Sequence, residues 1–276
     1  MNAFKEQCIA LRNKDHTLDE IAKLTGRPRT SVHFHIRSIP LSLGKRNAIK
    51  LDNAKRTANM AHERVIKHLR IFSNFVSWDK NTVSLIAHLL FDGEIIRSLC
   101  VYNNRSQSLI AHVEDRMKII YSYPPARHID IRTGVTRIAY YNVALARYLK
   151  SKSSELISGI QVMDKELKRE FIRAFFDDEG CIDYRPKRNT RRIRGYQKDV
   201  RILELIKHLL RDFCIDSFIQ KPNEVVMSGK ENLAKFQKEI NFSRGVCING
   251  NRSNSIWKES LEKRELLTRA ITSYKK

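Results

Sequence analysis

The sequence contains two apolar stretches that each end in an acidic residue followed by glycine. They span residues 85–93 and 172–180, so that Asp92 and Glu179 occupy equivalent places 87 residues apart (179 − 92). Apolar residues recur at helical spacing in both stretches, which predicts two buried helices with a carboxylate at the C-terminal end of each. A chain with this repeat must place two similar helices, and two acids, in related positions.

The similarity between the two copies extends beyond the acidic ends. After each acidic-glycine pair come a strand signal, a helical stretch, a further strand and a further helix. Each copy therefore predicts the order α-β-β-α-β-β-α, and the second copy carries an insertion rich in arginine and lysine between Tyr184 and Lys198. A duplicated unit of this kind suggests two halves related by a pseudo-twofold axis, which would match the two strands of a nucleic-acid duplex.

The charge of the chain points to a polyanionic partner. Lysine and arginine total 52 against 30 aspartate and glutamate, which gives a formal net charge of +22. Nucleic acid is the leading candidate and an anionic membrane surface the second. No apolar stretch approaches the roughly 18–20 residues of a membrane span, and no signal-peptide pattern opens the sequence. We therefore expect no membrane association, and a cytoplasmic (nucleoid) or organellar location rather than secretion.

The N-terminal segment predicts a small all-α domain at residues 1–43. Thr17 and Glu20 have the spacing of a capping box, and Gly26 stands where a tight turn needs positive φ. With the apolar residues around it, this pattern resembles a helix-turn-helix, although a helical hairpin with a basic face is the alternative. The third helix would expose residues that can contact DNA in the major groove: Arg29, Thr30, His33 and Arg37.

The two acidic-glycine helices predict a metal site. Ala87 and Ala174 hold equivalent places in the two motifs, and small residues allow two helix backbones to approach closely. Such packing would bring the negative ends of both helices together, and Asp92 and Glu179 would repel unless a cation or proton intervenes. Carboxylate oxygens suit Mg²⁺ and two-metal phosphodiester hydrolysis. Acids that merely flank ordinary core helices are the alternative.

Both motifs and the pattern after each resemble the single-chain LAGLIDADG homing endonucleases over roughly residues 77–270. The resemblance implies an α+β fold, a duplicated αββαββα saddle whose two four-stranded sheets lie in the major groove, and a monomer with pseudo-twofold symmetry. It also implies Mg²⁺-dependent cleavage of both DNA strands with short 3′ overhangs. Asp92 and Glu179 would be the catalytic metal ligands, and Gly93 and Gly180 would offer nearby carbonyls.

The sequence departs from the family pattern at several places. Alanine replaces glycine at the third position of each motif, and the seventh position holds Phe91 in one motif and Asp178 in the other, where a small residue is usual. The basic helper residue of the family would fall near Lys150 or Lys152 in the first half and near Arg244 in the second. An N-terminal helix-turn-helix also resembles regulators and splicing factors built on this fold.

The sheets are expected to supply the DNA-reading residues, because alternate residues of a strand face the same side. The basic insertion has a density of cations that suits contacts with phosphate and guanine. A solvated loop is the alternative for this segment. The insertion candidates are Arg185, Lys187, Arg188, Arg191, Arg192, Arg194 and Lys198. The first-half candidates are Arg97, Arg132 and Arg137.

These patterns predict four segments and one leading function. The segments are a helix-turn-helix domain (1–43), a basic and helical linker (44–75), a first half (76–160) and a second half closed by a C-terminal helix (161–276). We expect a site-specific, Mg²⁺-dependent endonuclease acting on double-stranded DNA. A DNA-binding transcription regulator without cleavage activity and an RNA-binding intron splicing factor (maturase) are the alternatives.

Overall fold

The computed structural model describes residues 3–67, 70–248 and 256–274, and residues 61–67 by their backbone alone. The chain divides into two compact units, Met1–Leu69 and Arg70–Lys276. Residues 70–75, which the sequence assigned to the linker, belong to the second unit. The carbonyl oxygen of Arg70 accepts a hydrogen bond from Asn142, and the backbone N–H of Phe75 donates to the hydroxyl of Tyr148.

The first unit contains the predicted capping box and turn. The backbone N–H of Glu20 donates to Thr17 Oγ1 at 3.2 Å, and the backbone N–H of Thr17 donates to Glu20 Oε2 at 2.7 Å. Gly26 then ends the helix with φ 65°, a conformation that glycine adopts without strain. The helices are α1 (Ala3–Asn13), α2 (Leu18–Thr25), α3 (Arg29–Ile36) and the basic α4 (Leu43–Lys67).

A small core of its own holds α1, α2 and α3 together. Its buried residues are Cys8, Ile21, Val32 and Ile36, all at most 3% exposed. The pair Val32 and Ile36 are four residues apart, so both lie on the inner face of α3. The opposite face of α3 carries polar and charged side chains together with Phe34, which is 64% exposed.

The second unit has the predicted duplication. In the first half the strands form one antiparallel sheet in the order β1-β2-β4-β3. The elements of this half are α5 (Lys80–Phe91), β1 (Gly93–Ile96), β2 (Leu99–Asn104), α6 (Gln107–Ile120), β3 (Ala126–Asp130), β4 (Val135–Tyr141) and α7 (Val143–Gly159). This is the predicted order α-β-β-α-β-β-α.

The second half repeats both the order of elements and the sheet topology, with strands in the order β5-β6-β8-β7. Short 3-10 helices lie at Ile160–Val162 and Pro186–Arg188. The elements are α8 (Lys165–Asp178), β5 (Gly180–Arg185), β6 (Thr190–Tyr196), α9 (Val200–Arg211), β7 (Phe218–Gln220), β8 (Glu224–Ser228) and α10 (Lys230–Glu239). The α+β fold with a duplicated αββαββα unit is therefore confirmed.

The closing helix is shorter than the sequence suggested. Helical spacing begins at Trp257, but α11 runs only from Lys263 to Thr272. The preceding residues are instead held by an antiparallel bridge between Cys247 and Glu262 and by contact of the Trp257 ring with Tyr184. Residues 249–255 of this segment lie outside the described residues. Within the described part of the chain, no helix combines the length and hydrophobicity needed to cross a bilayer.

Helices α5 and α8 pack against each other at the centre of the second unit. Ala87 and Ala174 are both buried, at 0% and 1% exposure. Near the helix ends the ring of Phe91 contacts Phe175 edge-on at 5.2 Å and Phe171 at 5.5 Å. The bulky seventh residue of the first motif is thus accommodated by an aromatic cluster in one continuous core shared by both halves.

The glycines that end the two motifs are required by a close backbone approach. A Cβ at Gly93 would lie 2.4 Å from the carbonyl oxygen of Leu89, and a Cβ at Gly180 would lie 2.3 Å from that of Phe176. Because each strand leaves directly from the end of its helix, the glycine Cα rests on the last helical turn. Any side chain at either position would force the helix and strand apart.

We therefore expect Gly180→Ala to destabilise the protein by roughly 1–3 kcal/mol or more, the usual cost of overpacking a rigid site. Chemical denaturation should show a lower midpoint with an unchanged slope. Gly159→Ala is the matched control, because the nearest atom to a Cβ there is the flexible Met163 Cε at 3.5 Å. Equal stability of the two variants would contradict this explanation of the motif glycine.

Candidate active site

The two motif acids lie in one cleft of about 1120 Å³ in the second unit. Asp92 and Glu179 are the C-caps of α5 and α8, where their backbone N–H groups donate to the last helical turns. Both side chains are half-buried. The structure therefore brings together the two predicted catalytic residues, with Gly180 lining the same cleft. Gly93 is placed against the helix end rather than on the cleft wall.

The electrostatics of the cleft disfavour two charged carboxylates. Burial, with the charges of Asp178 and Glu179 beside it, raises the pKa of Asp92 to about 8. Burial and Asp178 likewise raise the pKa of Glu179 to about 7. Lys263 acts in the opposite direction on both groups, and His88 does so on Asp92. A proton or a cation in the cleft would relieve this repulsion.

These pKa shifts predict how stability varies with pH in the absence of metal. A carboxyl group whose folded pKa is raised contributes stability below its unfolded pKa near 3.9 and loses it as pH rises through the folded value. In EDTA, the melting temperature of the protein should therefore fall between about pH 4 and pH 8, the window set by Asp92. Asp92→Asn should flatten this decline and be the more stable protein at pH 8.

Thermal melts across that pH range provide the measurement. Asp216→Asn, a change at an exposed acid in the loop before β7, is the control and should keep the decline of the unmodified protein. A pH dependence for Asp92→Asn that matches the control would show that Asp92 is not under electrostatic strain.

The side chain of Asp178, the unusual seventh residue of the second motif, forms hydrogen bonds with two residues of the first half. Its side chain is 0% exposed, with Oδ2 2.8 Å from His88 Nδ1 and Oδ1 accepting a 2.6 Å hydrogen bond from the Tyr102 hydroxyl. Burial alone would lower the pKa of His88, but the charge and hydrogen bond of Asp178 raise it above its ordinary value. The imidazole and the phenol thus compensate the charge of the buried Asp178 carboxylate.

This network continues to Asp92, the predicted catalytic residue of the first motif. Asn104 donates from Nδ2 to Asp92 Oδ2 at 2.7 Å and contacts the Tyr102 hydroxyl at 3.3 Å. Tyr102 and Asn104 are alternate residues of β2, so both face the helix ends. The orientation of Asp92 is therefore coupled to the side chains that hold Asp178.

Sequence reasoning missed the lysine in the cleft. It placed basic residues near Lys150 or Lys152 and near Arg244, none of which lines the cleft. The side chain of Lys152 pairs with Glu155 at 2.7 Å and lies over the ring of Phe75 at 5.1 Å. Lys263, the first residue of α11, lines the cleft instead. Its buried ammonium donates to the carbonyl oxygens of Phe176 and Asp177 at the end of α8. No local pattern marks Lys263, which follows the last repeated helix by more than twenty residues.

The donor set of the cleft fits a hard divalent cation with few protein ligands. Among the described residues, no group of three His, Cys, Asp or Glu side chains is arranged to hold a metal ion. That result excludes a closed zinc-type site there, because such sites use about four protein ligands. Mg²⁺ differs, since it keeps several waters and takes one or two carboxylates together with substrate phosphate. Asp92 and Glu179 could supply those carboxylates.

The basic insertion of the second half forms ordered structure rather than a loop. It extends the β5–β6 hairpin, with Lys187 and Arg188 in the 3-10 turn at its tip and Lys198 after β6. Arg192 and Arg194 share one face of β6. Arg191 faces the opposite side, where its guanidinium contacts Ser273 and lies 4.6 Å from the ring of Tyr274.

The first-half candidates are spread over the other sheet. Arg97 lies in the turn between β1 and β2 and Arg132 in the turn between β3 and β4. Arg137 lies within β4, opposite Asn103 and His128 in the antiparallel register. In the N-terminal unit, all four candidates on or after α3 are exposed: Arg29, Thr30, His33 and Arg37. Arg29 forms a 2.8 Å ion pair with Asp19 of α2.

Comparison with known families identifies the second half. Residues 166–241 match a family model described as LAGLIDADG-like domain. These residues form a LAGLIDADG-like domain. The matched region includes Glu179 and runs from within α8 to the second residue after α10, whereas Asp92 belongs to the preceding repeat of the same topology.

Comparison with solved structures finds distant similarity to proteins containing this domain. The N-terminal LAGLIDADG domain of DUF199/WhiA is 16% identical, with 62% of this chain and 88% of that chain covered and a TM-score of 0.47. A mesophilic variant of the homing endonuclease I-DmoI is 15% identical, with 60% and 91% covered and a TM-score of 0.44. Full-length DUF199/WhiA from Thermatoga maritima is 16% identical, with 74% and 63% covered and a TM-score of 0.48. The search of curated proteins gave no match.

Proposed function

We propose that the protein is a site-specific, Mg²⁺-dependent endonuclease that cleaves double-stranded DNA. The observation that supports this most is the pair Asp92 and Glu179, which cap equivalent helices and line one cleft. Repulsion between two carboxylates in a partly buried cleft destabilises the folded protein. Such an arrangement is typical of a functional site, where a bound cation would offset the repulsion. The net charge of +22 provides the attraction for a polyanionic substrate.

In this proposal Asp92 and Glu179 hold Mg²⁺, and the other residues of the cleft orient them. The metal would activate water and stabilise the leaving oxygen of the scissile phosphodiester. Asn104 fixes Asp92 through its hydrogen bond to Oδ2. Lys263 satisfies two carbonyl oxygens at the negative end of α8 and offsets part of the charge that DNA phosphate would otherwise meet.

The N-terminal unit is proposed to act as a second DNA-reading module of the helix-turn-helix type. Its α3 buries Val32 and Ile36 and exposes a basic face, as a helix that enters the major groove requires. Tethering this module to the second unit would raise the effective concentration of the second contact. We further propose that the protein acts as a monomer and is found in the cytoplasm (nucleoid) or in an organelle.

The proposal is tested by selection followed by cleavage. Duplexes with a randomised segment are selected for binding in EDTA, and an enriched sequence is placed in a supercoiled plasmid. Addition of Mg²⁺ should linearise that plasmid and leave a plasmid with a scrambled site intact, whereas in EDTA both plasmids should stay supercoiled. Tight, specific binding without linearisation in Mg²⁺ would contradict the endonuclease proposal and favour a DNA-binding regulator. Selective binding of RNA over every duplex would favour the splicing factor.

A further inference from the structure

A nearly buried carboxylate on the face of the second sheet gathers three arginines. Asp183 of β5 has a side chain only 5% exposed. Its Oδ1 accepts from Arg185 Nε at 2.7 Å, its Oδ2 accepts from Arg192 Nε at 2.9 Å, and Arg194 Nε lies 3.8 Å from Oδ2. We name Asp183, Arg185, Arg192 and Arg194 the arginine cluster.

The contacts within the arginine cluster leave defined groups available to a ligand. Arg185 and Arg192 both reach Asp183 through Nε, at the inner end of each guanidinium. Within the described residues, the two terminal nitrogens of Arg185 have no hydrogen-bond partner, and Arg192 uses only one of its own, toward Gln220 at 3.4 Å. Arg194 differs, because Glu224 accepts from its Nη1 at 3.0 Å. Among the described residues, two guanidinium groups are thus held in place through Nε, with both terminal nitrogens of Arg185 and one terminal nitrogen of Arg192 unpaired.

Asp183 stays charged in this setting. Burial alone would raise its pKa, but hydrogen bonds from Arg192 and Arg185 hold the pKa below the ordinary value. The side chains of Arg185 and Arg192 remain 38% and 31% exposed, so the cluster is accessible from solvent. It also borders the cleft of the catalytic acids, whose wall includes Asp183 and Arg185.

The first half carries different, largely apolar side chains at the equivalent positions. The pair Asp183 and Arg192 of the second sheet corresponds by register to Ile96 and Leu99 of the first, and Arg194 corresponds to Val101. Leu99 and Val101 form a small apolar cluster with Ala139 on that face. The duplicated fold therefore carries a charged set in one half and an aliphatic set in the other.

Two acids, Asp183 in the cluster and Glu224 beside Arg194, distinguish between two kinds of DNA contact. A phosphate group would be repelled by Asp183 and Glu224, and a simple phosphate contact gains nothing from a carboxylate beside the arginine. A guanine edge is uncharged and offers two acceptors, O6 and N7, which match the paired donors of a guanidinium. Holding the guanidinium in advance lowers the ordering cost of that contact.

We propose that Asp183 is a positioning residue that fixes Arg185 and Arg192 to recognise guanine, so that the half-site bound by the second sheet contains guanine at the positions these arginines reach. This inference rests on the proposed binding of double-stranded DNA. It adds a prediction about target composition, and it places the guanine contacts in one half of the target, which makes the target asymmetric.

The test uses the full-length protein and selection from randomised duplexes in EDTA. The unmodified protein should enrich guanines, and Arg185→Ala and Arg192→Ala should each lose the enrichment at one position. Replacing that guanine by 7-deazaguanine, which lacks the N7 acceptor, should weaken binding of the unmodified protein roughly tenfold. The same replacement should change binding of Asp183→Asn by less than about threefold, because its arginines are no longer held for bidentate contact.

Glu114→Gln is the matched control, because Glu114 also pairs with a strand arginine, Arg127, at 2.7 Å but on the side that packs against α6. It should keep the full guanine preference. Binding of Asp183→Asn to non-specific duplex should stay within about threefold of the unmodified protein. An equal loss of affinity of Asp183→Asn for all DNA sequences would instead indicate a merely structural role of Asp183 and overturn the proposal.

Three further outcomes are distinguishable. Asp183→Asn that keeps the 7-deazaguanine effect overturns the positioning role. If Arg185→Ala and Arg192→Ala both keep the guanine preference of the unmodified protein, guanine recognition by the cluster is overturned. This outcome can be read even if Asp183→Asn does not fold, and it leaves the endonuclease proposal in place. Failure of the unmodified protein to bind any duplex overturns the proposed function and, with it, this inference.

Discussion

Asp92→Asn and Glu179→Gln are each expected to abolish double-strand cleavage of the selected plasmid while leaving DNA binding intact. Each variant keeps the shape of the side chain but removes the negative charge that would hold the metal. Loss of several kcal/mol of transition-state stabilisation corresponds to a decrease in rate of roughly 10³-fold or more. Both residues cap their helices through the backbone, so neither substitution removes a helix cap.

Single-turnover linearisation at saturating protein, with Mg²⁺, measures this effect. Binding to the same duplex is measured in parallel in EDTA, where no cleavage occurs. Asp216→Asn, which changes an exposed acid away from the cleft lining, should cleave at the normal rate. Retained cleavage in either motif variant would remove that residue from the catalytic pair, and loss of binding would show that its role is structural.

The affinity for duplex DNA is expected to fall steeply with salt. If the sheets and α3 make about 6–10 phosphate contacts, affinity should decrease by roughly 10³–10⁵ between about 50 and 200 mM monovalent salt. The physical cause is the release of counterions from DNA when lysine and arginine neutralise phosphates. The net charge of +22 makes such a large number of contacts attainable.

Single lysine variants can resolve the salt effect by position. Lys187→Ala, at the tip of the β5–β6 hairpin, should reduce the slope of log affinity against log salt by about one. Lys118→Ala is the control, because Lys118 on α6 is paired with Asp115 at 2.8 Å and should not affect the slope. A nearly flat salt dependence of the unmodified protein would argue against a surface that follows the DNA backbone.

Much of the fold could be predicted because its signals are local. The capping box at Thr17, the turn at Gly26 and the helical periodicity before Asp92 and Glu179 each depend on residues a few positions apart. Duplication made the larger prediction possible, because two copies of one pattern must form two copies of one unit. The observed sheets, with the same strand order in both halves, agree with that expectation.

The chemistry around the acids could not be read from the sequence, because its contacts join distant parts of the chain. Asp178 meets His88 across 90 positions and Tyr102 across 76, and Lys263 meets the end of α8 across 86. No local pattern relates such residues. Two packing arrangements determine which side chains share the cleft: α5 packs against α8, and α11 packs against β5 and α10.

The arginine cluster could be predicted in part from the sequence. The sequence by itself determined that the insertion between Tyr184 and Lys198 is dense in cations. Strand register, which depends on the hairpin turn and on which face is buried, decided that Arg192 and Arg194 stand beside Asp183 while Arg191 faces α11. A shift of one residue would exchange those faces. Composition therefore specified a basic surface, and tertiary structure decided which arginines are held in place and by which acid.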